Sequence, residues 1–247
     1  MRVWIAALAW ACGGASAIDA PVTPVPQAPA SQAPATATPA VEAPPAAPTG
    51  PSLRLCGAAV TLSAGQRAEG GPAGAAPTLP PGDGPVHLDL GARSGLSGDQ
   101  LAALLHGPDA GRLVGLDLGG LALGAAGGKA IGSAPPLERL EALSLAGTGL
   151  GQAGIRGVAY GENLPALRVL SLAGAGLDDA ALDALAGASG LDALVALNLQ
   201  ESALPAEQIA STMLRARLPA LTCLLLDAGV SAETRAAWAD RGVALTP

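Results

Sequence analysis

Pairs of leucines separated by a single residue recur at a regular interval along the last two thirds of the chain. The six pairs are Leu88/Leu90, Leu116/Leu118, Leu143/Leu145, Leu170/Leu172, Leu197/Leu199 and Leu224/Leu226. A 28-residue step separates the first two pairs, and 27-residue steps separate all the later ones. Alternation of this kind is typical of a β-strand with one buried face. The pattern therefore predicts six strands whose leucines face one core and whose flanking residues face the opposite side.

Further leucines repeat with the same period on both sides of these pairs. One lies three residues before each of the last five pairs, at Leu113, Leu140, Leu167, Leu194 and Leu221. Another lies five residues after four of the pairs, at Leu123, Leu150, Leu177 and Leu204. Several positions that share one period indicate stacked repeats, in which each repeat buries its leucines against its neighbours.

The second half of each repeat carries signals for the start of a helix. The candidate starts are the capping box of Ser97 and Gln100, the N-cap residues Asp178 and Ser231, and Pro205 as a first helical residue. Trp238 follows the last of these starts and is expected to cover the open end of the stack. The glycine-rich segment 124–132 predicts a short or broken helix, because glycine disfavours helix interiors.

The L-x-x-L-x-L pattern over residues 85–247 resembles the leucine-rich-repeat family, and its repeat length is similar to that of the ribonuclease-inhibitor-like class. The resemblance implies an α/β solenoid of about six repeats, with parallel strands on a concave face and helices on a convex face. One further 28-residue step back from Leu88/Leu90 falls on Val60 and Leu62. Segment 52–84 is therefore interpreted as an N-terminal capping strand followed by a loop.

The repeats depart from the family at the position two residues before the loop leucine, where the family usually has Asn or Cys. The residues here are Leu121, Thr148, Ala175, Ser202 and Gly229. Other groups must therefore bond the turn backbone, since buried peptide groups need partners.

The N-terminus has the features of an export signal. Arg2 precedes an apolar run, 3–11, that is too short to span a bilayer, which needs roughly 20 residues. Residues 1–17 would be a signal peptide if cleavage follows Ala17. Residues 1–11 would be removed instead if 9–12 is a bacterial lipobox and Cys12 is the lipidated N-terminus. We favour the lipoprotein; both alternatives predict an exported protein.

Residues 18–51 consist almost entirely of Pro, Ala, Thr, Val, Gln and Ser, a composition that predicts a disordered linker or tether. Two cysteines follow it, Cys56 on the predicted capping strand and Cys223 on the last strand. Six strand steps would separate them by about 29 Å, whereas a disulfide joins Cα atoms about 5.5 Å apart. The repeat pattern therefore predicts no intramolecular disulfide.

Charge and motif content narrow the possible functions. The net charge is −7 and no basic stripe exists, which argues against nucleic-acid binding. The only histidines, His87 and His106, have no metal-ligand spacing to cysteine or to each other. Residues 149–154 form a G-x-G-x-x-G sequence, but Leu150 belongs to the leucine period and no acidic residue ends the next strand. We predict neither a metal nor a cofactor.

The concave face is the binding surface that the resemblance implies. The candidate binding residues on it are His87, Asp89, Asp117, Ser144, Ser171, Asn198, Gln200 and Asp227. The first four lie on neighbouring strands and are expected to form a polar cluster. Binding hot spots favour Trp, Tyr and Arg, and the inferred face has none of them. The loops around 160–163 are a second possible contact region.

These features predict an exported, non-enzymatic protein-binding module of the bacterial cell envelope, which touches the membrane only through a lipid at Cys12. Its protein partner is unknown. One alternative is an envelope hydrolase that uses His87, Asp89, Asp117 and Ser144. His87 and Ser144 are two strand steps apart, roughly 10 Å before side chains shorten the distance, and no oxyanion donor or enclosing pocket is evident, so we assign no catalytic residue. Another alternative is a structural spacer without a specific ligand.

Overall fold

The computed structural model describes residues 52–56, 58–69, 75–91 and 95–247. Two strands form a hairpin, β1 (Ser52–Leu55) and β2 (Ala58–Thr61). The other eight form one sheet: β3 (Gln66–Glu69), β4 (Val86–Asp89), β5 (Leu113–Asp117), β6 (Ala142–Ser144), β7 (Val169–Ser171), β8 (Ala196–Asn198), β9 (Cys223–Leu225) and β10 (Ala244–Thr246). The helices are α1 (Gly98–Leu105), α2 (Gly124–Gly132), α3 (Gly151–Tyr160), α4 (Asp179–Ala186), α5 (Ala206–Met213) and α6 (Ala232–Asp240).

The sheet is parallel throughout, and its strands lie side by side in the order of the sequence, from β3 to β10. The leucine period sets the register, since the first leucine of each pair is aligned with the next: Leu88, Leu116, Leu143, Leu170, Leu197 and Leu224. The longer first step appears as a register shift between Val86 and His87. The predicted α/β class and its parallel strands are therefore confirmed.

The main core lies between this sheet and the helices. Both leucines of each pair are buried in it, together with apolar residues from all six helices. Trp238 of α6 is also buried there, and its indole Nε1 donates a hydrogen bond to the Ala210 carbonyl at 3.1 Å. Strand β10 follows α6 and pairs with β9, so the sheet continues one strand beyond the six predicted from the leucine pairs.

Local capping explains where the helices begin. Ser97 and Gln100 form the predicted capping box of α1. The Asp178 carboxylate accepts a hydrogen bond from the Ala181 amide at 2.8 Å at the start of α4, and Ser231 caps α6. Pro205 has an extended ψ of 136°, so it is the N-cap of α5 and not its first helical residue.

The glycine-rich segment 124–132 forms an intact helix, so the prediction of a short or broken helix is wrong. Glycine is required there because α2 and α3 are in backbone contact. A Cβ atom on Gly128 would overlap the Cα atom of Gly154, and one on Gly132 would lie 2.6 Å from the Gly157 carbonyl oxygen. This close packing offsets the low helix propensity of the glycines.

The strand that caps the sheet at its N-terminal end is β3, not the predicted segment around Val60 and Leu62. Gln66 pairs with Val86, so the step from β3 to β4 is shorter than the leucine period and β3 does not follow that period. The signal sequence, Cys12 and linker 18–51 lie outside the described residues. Within the described part of the chain, no helix is long and apolar enough to cross a membrane.

Candidate functional site

The residues that flank the leucines lie on the side of the sheet opposite the helices, which we call the helix-free face. A second apolar cluster is centred there, on Val169, Ala196 and Cys223. It also contains Val60 and Leu62, whose side chains are only 4% and 2% exposed. Residues 52–56 and 58–63, here called the cover segment, therefore lie against the middle of the helix-free face.

A disulfide between Cys56 and Cys223 joins the cover segment to strand β9, with the Cα atoms 5.6 Å apart. The prediction that these cysteines lie far apart is therefore wrong. It placed Cys56 on a strand at the edge of the sheet, whereas Cys56 lies in the turn of a hairpin that crosses the face. The left-handed backbone of Cys56, with φ of 50°, is the conformation that a two-residue hairpin turn requires.

Polar contacts hold the other end of the cover segment. The Arg168 guanidinium donates a hydrogen bond to the Thr61 carbonyl at 2.6 Å, and the Glu141 carboxylate accepts one from the Ser63 amide at 2.9 Å. Glu141 also bonds the Ser63 hydroxyl and pairs with Arg168 at 3.9 Å. The segment thus crosses the sheet from β9 towards β4, fastened at both ends.

His87 belongs to this fastening. Its ring is 1% exposed, and Nε2 lies 2.9 Å from the Ser63 carbonyl oxygen. A Cβ atom on Gly115 would lie 2.5 Å from Nδ1, and one on Gly65 would lie 2.8 Å from the ring, so the imidazole fits between two glycines. Packing on both sides and the contact with Ser63 therefore fix the position of the His87 ring beneath the chain that covers it.

Three candidate residues bond the turns that follow their strands. Asp89 Oδ1 accepts a hydrogen bond from the Gly91 amide at 3.0 Å, Asp117 Oδ1 from Gly119 at 2.9 Å, and Asn198 Oδ1 from Gln200 at 3.0 Å. Each acceptor is two residues before its donor, the geometry of an Asx-turn. These side chains therefore have a structural role, and they lie nearer the strand than the loop position where the family usually has Asn or Cys.

The predicted polar cluster forms in part at the N-terminal end of the sheet. Asp89, Asp117 and Ser144 occupy aligned positions on β4, β5 and β6, and Arg67 of β3 pairs with Asp89 at 3.8 Å. Burial raises the pKa of Asp117, and the nearby Asp89 charge adds to this effect. Hydrogen bonds from Gly119 and Ser144, and the charge of Arg67, oppose it. The cluster therefore joins Asp89, Asp117 and Ser144, whereas the His87 ring contacts Ser63 instead.

The other candidates are divided between buried and exposed positions. Ser171 and Asn198 are buried, contrary to the expected exposure, and the Ser171 hydroxyl has no hydrogen-bond partner among the described residues. Gln200 is half-buried and Asp227 is exposed. The eight residues do not form one accessible surface, and their role in binding stays a prediction.

A groove between α2 and α3, on the helix side of the molecule, was not predicted. Its volume is about 590 Å³. It is lined by Ala125, Ala126, Lys129, Gly132, Ser133, Ala153, Arg156, Gly157, Tyr160 and Gly161. Tyr160 is 49% exposed and is the one large hydrophobic side chain exposed among the described residues. The sequence did contain signals for this groove. Both helices carry small residues, and Tyr160 belongs to the region 160–163 that was predicted as a second contact region.

The described residues contain no group of His, Cys, Asp and Glu side chains that could hold a metal ion. No protein-family model matches the chain, and no curated protein is significantly similar to it.

Proposed function

We propose that the protein is an exported, non-enzymatic binding module built as a leucine-rich-repeat solenoid. The in-register 27-residue period, with one strand and one helix in each repeat, supports the solenoid. Such solenoids expose large continuous surfaces and are widely used for protein recognition. The partner is an envelope protein, and the membrane is reached only through a lipid at Cys12.

The disulfide between Cys56 and Cys223 is the observation that carries the proposal of export. Disulfides persist in oxidising compartments and are rare in a reducing cytosol. The test is to trap free thiols in intact cells and to compare the full chain with a variant that lacks residues 1–17. We expect both cysteines to be oxidised in the full chain and reduced in the truncated variant. Reduced cysteines in the full chain would contradict export.

Lipid attachment is tested separately. Radiolabelled palmitate should be incorporated into the full chain and lost in Cys12→Ser. A labelled Cys12→Ser variant, or an unlabelled wild type, would leave free secretion as the route.

The surroundings of His87 support binding over hydrolysis. The hydrolase alternative needs His87 as a general base for Ser144, but His87 is buried and in contact with the Ser63 carbonyl. A hydrolytic activity that disappeared in His87→Gln while the fold stayed intact would revive that alternative.

Binding itself is tested by affinity enrichment from envelope extracts with the oxidised chain as bait. We expect an enriched protein that then binds the purified chain with a saturable isotherm. Failure of every enriched protein to do so would favour the structural spacer.

A further inference from the structure

The groove between α2 and α3 collects residue types that the rest of the surface lacks. It contains the only lysine of the sequence, Lys129, and the only tyrosine, Tyr160, together with Arg156. Tyrosine and arginine are enriched at binding hot spots, because they combine a large apolar area with a polar end. The helix-free face, by contrast, is already covered at its centre.

Lys129 and Arg156 are not used by the fold. Neither side chain has a hydrogen bond or an ion pair with any other residue in the described ranges. Most other described arginines are engaged: Arg67, Arg112, Arg168, Arg215, Arg235 and Arg241 all contact a carboxylate or a backbone carbonyl. Two unengaged cations therefore meet at one concave place on a protein of net charge −7.

The described lining contains no acidic residue, so no side chain of the lining neutralises these two cations. An arginine guanidinium binds a carboxylate through two parallel hydrogen bonds, and a lysine ammonium adds a second attractive charge. A nucleic acid or another polyanion fits poorly, because its many phosphates would face the net negative charge of the whole molecule. A few carboxylates on an otherwise uncharged chain suit this site better.

The shape of the groove limits the size of the occupant. Glycine contacts bring α2 and α3 together, and the small side chains of Ala126 and Ala153 keep the groove open. The lining spans positions 125–133 along α2, about 12 Å at 1.5 Å per residue. Three or four residues of an extended chain fit this length, at about 3.3 Å each.

We propose that the α2–α3 groove is the docking surface for a short acidic segment of a partner protein. Its carboxylates contact Lys129 and Arg156, and its apolar atoms pack against Tyr160 and the alanines. This inference rests on the proposed binding function and names the surface and the partner chemistry.

The experiment is a titration of the uniformly ¹⁵N-labelled full chain with a capped peptide, Ala-Glu-Glu-Ala, followed by amide chemical shifts. We expect shifts concentrated at 125–133 and 153–161, and weaker binding as salt rises. The same peptide with Gln in place of Glu should bind at least about tenfold more weakly. A second peptide, uncapped and without glutamate, carries its C-terminal carboxylate only. Its binding measures how far the groove recognises a chain terminus instead of glutamate side chains.

The matched variants are K129E/R156E and R139E/R217E, which change the net charge equally. Arg139 and Arg217 are exposed and, like the groove cations, have no partner in the described ranges. K129E/R156E should lose at least about tenfold in affinity for the acidic peptide, and R139E/R217E should lose little. Equal losses in both variants, or shifts outside the groove, would overturn the proposal.

Concentration-dependent shifts at the groove without any peptide would assign it to a second copy of this chain and would also overturn the proposal. The partner recovered from envelope extracts separates failure of the proposed binding function from failure of the groove as its docking surface. If it still binds K129E/R156E, the binding function stands and the groove is rejected. If no partner binds saturably but the acidic peptide does, the groove stands as an acidic-segment site.

Discussion

The two sides of the sheet use small residues in opposite ways. On the helix-free face, small residues such as Gly115 and Ala196 leave room that the chain itself fills, with His87 and the apolar side chains of the cover segment. On the helix side, the glycines of α2 and α3 draw the helices together and leave a groove that no described residue fills. Small side chains thus indicate a surface that permits close approach. They do not indicate whether the approaching group belongs to the same chain or to a partner.

The charged residues show the same contrast. Glu141 and Arg168, beneath the cover segment, are engaged with each other and with Ser63 and Thr61. Lys129 and Arg156, at the groove, have no such contacts in the described ranges. Charged side chains that already pair within the protein have little electrostatic attraction left for a partner. Charged side chains without such pairs can still attract groups of opposite charge on a partner. The groove is therefore the better candidate for recognition.

The largest expected effect is the loss of the disulfide. The double variant C56S/C223S should lower the free energy of unfolding by roughly 3–5 kcal/mol, because the bond closes a loop between residues 167 apart and restricts the unfolded chain. Urea unfolding measures the difference, and limited proteolysis should cut near 57–65 much faster in the variant. Addition of a dithiol reductant should lower the free energy of unfolding of the wild type and leave that of the variant unchanged. An equal midpoint in oxidised wild type and variant would show that the cover segment does not depend on its covalent link.

The floor of the groove should respond next. In Gly128→Ala the new methyl group would meet the backbone of Gly154 and force α2 and α3 apart, at a cost of about 1–3 kcal/mol. The control is Gly111→Ala, since a Cβ atom there meets nothing within 4 Å. Thermal unfolding should show a clear loss for the first variant and little change for the second. Similar melting of both would mean that the two helices do not touch as closely as described.

The sheet and most helix starts could be predicted because their signals are local or periodic. Leu143 and Leu170 are aligned since each repeat places its strand at the same point of the period. Asp178 and Ser231 cap their helices through hydrogen bonds to residues only three positions further along the chain, so these caps are encoded locally. The continuity of α2 could not be predicted, because packing against α3 outweighs the low propensity of its glycines.

The cover segment could not be predicted because its contacts are remote and have no period. Extending the 28-residue step places Cys56 on an edge strand. Strand β3 occupies that edge position after a shorter step, and the preceding hairpin is therefore not part of the main sheet. The leucine pattern does not indicate that Leu62 packs near Val169, or that the Ser63 amide donates a hydrogen bond to Glu141. The exposure expected for His87 and Ser171 was wrong for the same reason.

A smaller effect is expected where the cover segment is fastened by polar groups. Glu141→Ala removes two hydrogen bonds to Ser63 and the ion pair with Arg168, so the free energy of unfolding should fall by about 1–2 kcal/mol. Hydrogen exchange at the Ser63 amide should accelerate more than exchange in the sheet. Glu138→Ala, at an exposed position without such contacts in the described ranges, is the control. If both variants exchange alike at Ser63, the contact with Glu141 is not formed in solution.

The smallest effect concerns Asp117, at the uncovered end of the helix-free face. Because burial raises its pKa above the ordinary value of 3.8, the folded state binds this proton more tightly than the unfolded state. Its contribution to stability is therefore full below pH 3.8 and is lost as pH rises through the raised pKa.

Replacement of Asp117 by asparagine separates this titration from the turn contact. Asp117→Asn keeps an oxygen acceptor for the Gly119 amide, as Asn198 does for Gln200, and removes the titration. The variant should match or exceed the wild type at pH 7, by less than about 1 kcal/mol, and lose this advantage towards pH 3. Urea midpoints across that range measure it, with Asp227→Asn as the control for loss of one charge at an exposed position. A constant difference between Asp117→Asn and wild type at every pH would show that the Asp117 carboxyl titrates alike in the folded and unfolded chain. The carboxyl would then be more accessible to solvent than its burial in the structure implies.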